Sequence, residues 1–219
     1  MRLSILRCAL LLLSLAPLGW ADVVVVPISV DTSSLSGTTG SFDLQFNPGP
    51  LVSQSASLTI NNFMSSGGSF FGAPFLTGDV SGTLPSALIF DNGSPFNDYF
   101  QDFTFGSSLS FTVALSGPAV FSPDGTSTSG SEFGFSMFSD PAGTAPALTN
   151  DTVNGFAVIV SIGTDGSVTA VNLSSETTMG SPTDVPEPGS FAFVLVTAAI
   201  LAVMAYVHPR SRTITFKSE

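Results

Sequence analysis

The sequence predicts a mainly β protein, an antiparallel β-sandwich of jelly-roll-like type, with an N-terminal signal peptide and one C-terminal transmembrane helix. Three features of the 219-residue chain support this prediction. Two arginines and a short apolar run open the chain, its middle alternates apolar with small polar residues, and a longer apolar run followed by arginines stands near its end. The predicted segments are a signal peptide at 1–21, a sandwich at 22–180, a linker at 181–190, a transmembrane helix at 191–207 and a cytoplasmic tail at 208–219.

The N-terminal stretch MRLSILRCALLLLSLAPLGWA has the parts of a secretory signal peptide. Arg2 and Arg7 form the positively charged start, the apolar run at 8–15 is too short for a stable anchor, and small residues precede the cleavage point. We expect cleavage between Ala21 and Asp22. The alternative, a buried N-terminal helix, is disfavoured because the run lacks capping signals and an amphipathic face.

The segment after the signal peptide is a series of predicted half-buried antiparallel strands. Apolar side chains alternate with small polar ones, so one face of each strand is apolar, and Gly, Pro, Asn, Asp and Ser separate the runs. Helical spacing is not sustained between residues 22 and 182. The residues predicted to face the core are Phe42, Leu44, Phe46, Leu58, Ile60, Leu109, Phe111, Val113, Leu115, Phe133, Phe135, Met137, Phe156, Val158, Val160 and Ile162.

The clearest predicted hairpin is FAVIVSIGTDGSVTAV, in which the turn at 164–166 leads back through Val168 and Ala170. Phenylalanine is abundant, with 17 of its 20 residues between positions 22 and 184. Most of them occupy alternating strand positions, which favours packing between two sheets over an aromatic strip for a ligand. Phe70 and Phe71 break the alternation inside a glycine-rich loop, and we expect them to be exposed.

The distribution of charge excludes several functional classes for the exported segment. Between positions 22 and 184 lie 14 of the 16 acidic residues and no Lys or Arg, so neither nucleic acid nor anionic lipid is expected to bind there. The only His and the only Cys, His208 and Cys8, also lie outside this segment. Ser-His-Asp and Cys-His catalytic sites, zinc sites built on His or thiolate, and disulfides are therefore excluded there, and no cofactor is expected.

The stretch FDNGSPFNDYFQDF carries the densest group of polar side chains. Asp91, Asp98 and Asp102 supply the hard oxygen atoms that calcium prefers, so they are candidate metal ligands. Their spacing matches no EF-hand loop, and a plain turn is the favoured interpretation because Asx side chains also bond to nearby backbone. Asp98 with Asp102, and Glu132 with Asp140, are candidate carboxyl pairs for glycosidase chemistry, which needs no histidine.

The segment DVPEPGSFAFVLVTAAILAVMAYVHPRSR has the features of an extended linker followed by a stop-transfer helix. Its apolar run of 17 residues at 191–207 reaches the lower limit for a spanning helix. Pro186 and Pro188 prevent the helix from starting earlier. Arg210 and Arg212 hold the tail in the cytoplasm and leave the sandwich outside. A buried core helix is the alternative, and the terminal position and the flanking residues disfavour it.

Val-Pro-Glu-Pro followed by a short hydrophobic helix and arginines resembles the PEP-CTERM sorting signal of Gram-negative bacteria. The resemblance implies that Pro186, Glu187 and Pro188 form a recognition motif for exosortase, a membrane transpeptidase-like enzyme. Stretches such as DTSSLSGTTGSFDLQFNPGP and GSEFGFSMFSD resemble a subgroup of these exported proteins, so the resemblance covers nearly the whole chain. The same tail is also described as the C-terminal domain of an ice-binding protein. Family members tend to occur beside exopolysaccharide genes, which implies a surface or matrix role.

From these observations we expect a noncatalytic surface or biofilm-matrix protein. It would be an inner-membrane single-pass precursor before it reaches the cell surface or the extracellular matrix. The expected partners are the secretion machinery, signal peptidase, exosortase, exopolysaccharide and, through the C-terminal helix, the membrane. The alternatives are a calcium- or glycan-binding module and an acid-pair glycoside hydrolase. Glycan binding would lack its usual aromatic platform, because Trp20 leaves with the signal peptide and Tyr99 is the only Trp or Tyr between positions 22 and 184.

Overall fold

A computed structural model describes residues 22–185, together with residues 197, 198 and 201. The part at 22–185 consists of two antiparallel sheets, which confirms the predicted mainly β class. The three further residues are helical, and among all the described residues no helix is both long and apolar enough to cross a membrane. The predicted signal peptide, the motif at 186–188, most of the predicted helix at 191–207 and the tail at 208–219 lie outside the described residues.

The strands are two to ten residues long and rich in β-branched and aromatic residues, and turn-forming residues separate them. A single four-residue helix, α1 (Pro118–Phe121), and a 3-10 turn at Ser33–Leu35 accompany them within 22–185. The strands are β1 (Val23–Asp31), β2 (Thr39–Pro48), β3 (Ser57–Ser66), β4 (Ser69–Phe70), β5 (Phe75–Thr77), β6 (Val80–Gly82), β7 (Leu88–Asp91), β8 (Asp98–Thr104), β9 (Ser108–Ser116), β10 (Ser131–Phe138), β11 (Phe156–Ile162), β12 (Val168–Asn172), β13 (Thr177–Met179) and β14 (Thr183–Val185).

Each sheet contains seven strands, and consecutive strands often pass from one sheet to the other. The first sheet has the order β13-β1-β9-β3-β7-β6, and β14 also pairs with β1. The second sheet has the order β12-β11-β10-β2-β8-β4, and β5 also pairs with β8. All these pairings are antiparallel. Strands β2 and β10 are therefore interior strands of the second sheet, with a hydrogen-bonded neighbour on each side.

The core lies between the two sheets, where their alternating apolar faces meet. On β2, for example, Phe42, Leu44 and Phe46 are at most 1% exposed. Phenylalanine rings from opposite sheets interlock edge to face, with the ring centres of Phe111 and Phe135 5.1 Å apart. Such aromatic pairs stabilise a core by about 0.5–1.5 kcal/mol beyond the area that they bury. The prediction that alternating phenylalanines fill the core is confirmed for these positions.

The predicted exposure is wrong for Phe70 and right for Phe71. Phe70 belongs to the short strand β4, which pairs with β8 so that Phe70 stands opposite the inward-facing Phe103. Its half-buried ring therefore packs 5.2 Å from the rings of Phe63 and Phe103, measured between centres. Phe71 is 36% exposed. A two-residue strand in a glycine-rich loop is too short to show alternation in the sequence.

The sheet continues into the segment predicted as a linker. Strand β14 pairs with the start of β1, with Val23 opposite Val185 and Val25 opposite Thr183. The sheet thus includes residues beyond the predicted boundary at residue 180, because the three residues of β14 gain backbone hydrogen bonds along β1 without showing a recognisable strand pattern. The first and last strands of the sandwich consequently lie side by side at one edge of the first sheet.

Candidate functional site

The outer face of the second sheet carries polar side chains in rows across its strands. Because Phe42, Leu44 and Phe46 point inward, the residues between and after them, Asp43, Gln45 and Asn47, point outward. Strand pairing places Asn47 opposite Glu132 of β10, and Glu132 opposite Ser161 of β11. An amide, a carboxylate and a hydroxyl thus lie in one row across three neighbouring strands.

A groove of about 410 Å³ runs over this part of the sheet. Its size falls within the range of about 300–1,000 Å³ that is usual for small-molecule sites. Gln45, Asn47, Glu132 and Ser161 line it together with the ring of Phe156. The two segments 48–50 and 129–131 also line it. The groove therefore combines hydrogen-bonding side chains with one apolar wall.

Gly134 lines the groove and allows the Phe156 ring to lie over β10. A Cβ atom at Gly134 would stand 2.3 Å from Cε1 of Phe156, too close for any other residue unless the ring moved. The sequence pattern predicted that Phe156 faces the core, and this is wrong. A β-bulge shifts the β10–β11 register between Phe135 and Ser136, so that Phe135 stands opposite Val158 and Ser136 opposite Phe156. The extra residue turns Phe156 to the outer face.

Hydrogen bonds fix the polar side chains on β2. The backbone N–H of Asn97 donates to Asn47 Oδ1 at 2.6 Å, and Gln45 Nε2 donates to Asp43 Oδ2 at 2.6 Å. A longer bond of 3.4 Å runs from Asn47 Nδ2 to Gln45 Oε1. These contacts form a ladder along the outer face of β2, so the amides that line the groove are held in place before any ligand arrives.

A carboxyl pair, Asp43 of β2 and Asp98 of β8, lies beside this ladder. Burial, and secondly the hydrogen bond and the charge of Asp98, raise the pKa of Asp43 to about 9, while the hydrogen bond from Gln45 acts in the opposite direction. Asp98 is 8% exposed, and no donor among the described residues bonds to Oδ1 of either carboxyl group. The segment 22–185 contains no Lys, Arg or His that would neutralise the pair. A proton held between the two groups removes one of the two like charges.

The candidate metal ligands predicted from the sequence do not come together. Asp91 ends β7 in the first sheet, where it accepts a hydrogen bond from Ser57, whereas Asp98 and Asp102 lie on β8 in the second sheet. Asp98 and Asp102 are four strand residues apart, a distance of about 13 Å at 3.3 Å per residue. Within the described residues no group of three or more His, Cys, Asp or Glu side chains is arranged to hold a metal ion.

The two carboxyl pairs predicted for glycosidase chemistry are also separated. Such pairs stand about 5–9.5 Å apart in retaining and inverting enzymes. Asp98 and Asp102 exceed that distance. Glu132 is the second residue of the eight-residue strand β10, whereas Asp140 lies two residues beyond its end. Asp140 instead accepts hydrogen bonds from the backbone of the turn that follows. The pair that the fold does assemble, Asp43 with Asp98, was not predicted.

The asparagines of the polar stretch stabilise the fold. Asn92 accepts from the backbone of Ala56 at 2.9 Å and donates to Ser131 Oγ at 2.8 Å. Asn97 is fully buried and donates to the carbonyl of Phe46 at 2.9 Å. Residues 92–93 do form a turn between β7 and β8. These bonds, however, reach residues that are 36 to 51 positions away along the chain, so the two asparagines connect the turn to other parts of the sandwich. Tyr99 is also fully buried, so its ring is not part of the outer surface.

Comparison with known proteins identifies no relative for this chain. No family model, no curated protein and no solved structure matches it. The function is therefore inferred from the residues and from the geometry of the fold.

Proposed function

We propose that the chain is a noncatalytic, exported surface or biofilm-matrix protein whose jelly-roll-like sandwich is delivered through a PEP-CTERM signal that exosortase processes. The observation that carries this proposal is where the sandwich begins and ends. Its first strand starts at Val23, directly after the expected cleavage between Ala21 and Asp22, and its last strand ends at Val185, directly before Pro186. All fourteen strands described therefore lie between the two expected processing segments.

The pairing of β14 with β1 supports removal of both ends without damage to the sheet. Val23 and Val185 stand opposite each other, so both points of attachment lie at the same edge. Cleavage before Val23 and after Val185 would leave every strand pair in 22–185 intact.

The proposed route has a membrane-held intermediate. The signal peptide directs the chain to the secretion machinery, and the apolar run at 191–207 holds it in the inner membrane, with Arg210 and Arg212 on the cytoplasmic side. Exosortase then acts at the segment containing Pro186, Glu187 and Pro188, and the sandwich reaches the cell surface or the extracellular matrix. The acidic, Lys- and Arg-free sandwich suits a matrix protein that stays clear of nucleic acid and anionic lipid.

The test is fractionation of the native host that produces a tagged chain. In the variant with Pro186, Glu187 and Pro188 all changed to Ala, we expect the uncut chain to accumulate in the inner membrane, whereas the wild type reaches the surface or the medium. The matched control is Pro182→Ala/Asp184→Ala, which removes one proline and one acid just before the motif and should sort like the wild type. Equal release of the triple variant and the wild type would refute the proposed signal.

A further inference from the structure

We propose that the groove over Gly134 binds a neutral oligosaccharide, a hydroxyl-rich and uncharged chain of the surrounding matrix. This inference rests on the proposed function, because it gives the exported sandwich a matrix partner. The groove lies on the outer face of the second sheet, whereas β1 and β14, at which the processing segments attach, belong to the first sheet. The binding face and the anchoring edge are thus formed by different sheets.

The hydrogen-bonding groups of the groove match sugar hydroxyls, which both donate and accept. The carboxylate of Glu132 accepts, the amides of Gln45 and Asn47 do both, and the hydroxyl of Ser161 does both. Glu132 is exposed, and its contact with Ser161 is a 3.3 Å bond from Oγ to Oε2. A bond of that length at the surface is readily exchanged for bonds to a ligand.

The shape of the groove supplies the apolar contact that a sugar ring needs. Phe156 is half-buried, and its ring, which lies over Gly134, forms the apolar part of the lining. An aromatic ring of this kind packs against the C–H face of a pyranose. Phe156, which the sequence pattern assigned to the core, thus partly substitutes for the missing platform of Trp and Tyr rings.

The charge of the sandwich disfavours acidic ligands. The segment 22–185 has acidic residues and no Lys, Arg or His, so a sulfated or uronate polymer would meet repulsion and no counter-charge. Glu132 places a carboxylate in the groove itself. A neutral glycan avoids this repulsion and can still donate its hydroxyl protons to Glu132.

The groove is also prepared in advance. Its polar residues lie on the interior strands β2 and β10 and on the neighbouring strand β11, and the bonds from Asn97 to Asn47 and from Gln45 to Asp43 hold the β2 amides. Side chains that are already ordered lose little entropy when a ligand binds. The carboxyl pair Asp43 and Asp98 thus acts on the groove indirectly, by orienting Gln45.

The test measures oligosaccharide binding by isothermal titration calorimetry. The sample is the full-length chain, purified in detergent with EDTA present. The probes are the neutral hexaoses of glucose, N-acetylglucosamine, mannose and galactose, with polygalacturonate as the acidic comparison. We expect at least one neutral hexaose to bind and polygalacturonate not to bind. Glu132→Ala should weaken the binding about fivefold to tenfold, as the loss of one or two hydrogen bonds would.

A second variant fills the groove. Ser161→Phe puts a strand-compatible ring into it and should weaken binding at least tenfold. Its matched control is Ser110→Phe, the same change on the outer face of the first sheet, which should bind like the wild type. Circular dichroism checks that both variants fold, and if Ser161→Phe does not, Glu132→Ala decides the question.

Three results would overturn the proposal: no neutral hexaose binds, polygalacturonate binds equally well, or Ser110→Phe and Ser161→Phe lose binding to the same extent. Fractionation of the host separates these failures from failure of the proposed function. Normal release without glycan binding refutes only the groove, and glycan binding without a role for the motif at 186–188 refutes only the sorting signal.

Discussion

The carboxyl pair makes the stability of the sandwich fall as the pH rises through neutrality. Asp43 has a pKa of about 9 in the folded chain, against 3.8 for an ordinary Asp, because burial and Asp98 disfavour its charged form. Between these two values the folded state binds a proton that the unfolded state does not. The stability from this proton is therefore fully present below pH 3.8 and is lost as the pH rises toward 9.

The size of the effect follows from the linkage between protonation and folding. A single group that is protonated only in the folded state changes the free energy of unfolding by at most about 1.4 kcal/mol per pH unit. Between pH 6 and 8 the loss is at most about 2.7 kcal/mol, a sizeable part of the roughly 5–15 kcal/mol that stabilises most domains.

The window from pH 6 to 8 separates Asp43 from the five acids whose pKa values are lowered in the folded chain. Asp31, Asp124, Asp140, Asp151 and Asp165 have pKa values lowered by hydrogen bonds from turn residues. Their contribution to stability depends on pH in the opposite direction from that of Asp43. It is lost as the pH falls through their folded pKa values, below 3.8. They stay ionised throughout the window and add no slope.

The assay is urea unfolding of the segment 22–185 at pH 6, 7 and 8, for the wild type and Asp43→Asn. The side-chain amide that this substitution introduces can donate permanently to Asp98, so the variant should lose the slope and be more stable than the wild type at pH 8. Asp102→Asn, on the same face of β8, is the matched control and should keep the wild-type slope. A wild type whose stability is constant or rises from pH 6 to 8, or an Asp43→Asn variant with an unchanged slope, would refute the shared proton.

Two further predictions concern the fold. The segment 22–185, produced alone, should be a soluble β-rich monomer whose stability reductant does not change, because it has no Cys. Trypsin should leave it uncut even in urea, because it has no Lys or Arg. Helix-dominated circular dichroism or a tryptic cut would contradict these expectations. Phe135→Ala should lower the free energy of unfolding by about 3–5 kcal/mol, whereas Phe121→Ala, at a ring that is 37% exposed, should change it by less than about 1 kcal/mol; equal losses would contradict the assigned core.

The sequence was sufficient for properties that depend on local pattern. Alternation correctly assigned Phe42, Leu44 and Phe46 to the core, because a strand puts every second side chain on one face wherever it is paired. It equally marked Asp43, Gln45 and Asn47 as outward-facing. The alternation did not predict that Gln45 and Asn47 would line a groove, or that Asp43 would form a carboxyl pair with Asp98.

What the sequence did not predict depends on partners that are distant along the chain. Asp43 meets Asp98 only because β2 pairs with β8, and nothing local to either residue indicates that pairing. Phe156 faces outward because of a bulge between β10 and β11, which a period of two does not reveal. Strand β14 exists only as an addition to β1. Register and edge pairing are tertiary properties, and short strands carry too few residues to show them.

The lack of basic side chains connects the carboxyl pair with the groove. Because the segment 22–185 has no Lys, Arg or His, a buried carboxyl pair in it has no internal counter-charge and is relieved by a proton. For the same reason the groove beside that pair offers a ligand amides, hydroxyls and Glu132 but no cation. A single arginine near Asp98 would lower the pKa of Asp43 and would also make the groove attractive to acidic polymers. The proposed preference for a neutral matrix partner and the proton held by Asp43 would therefore both follow from one compositional property.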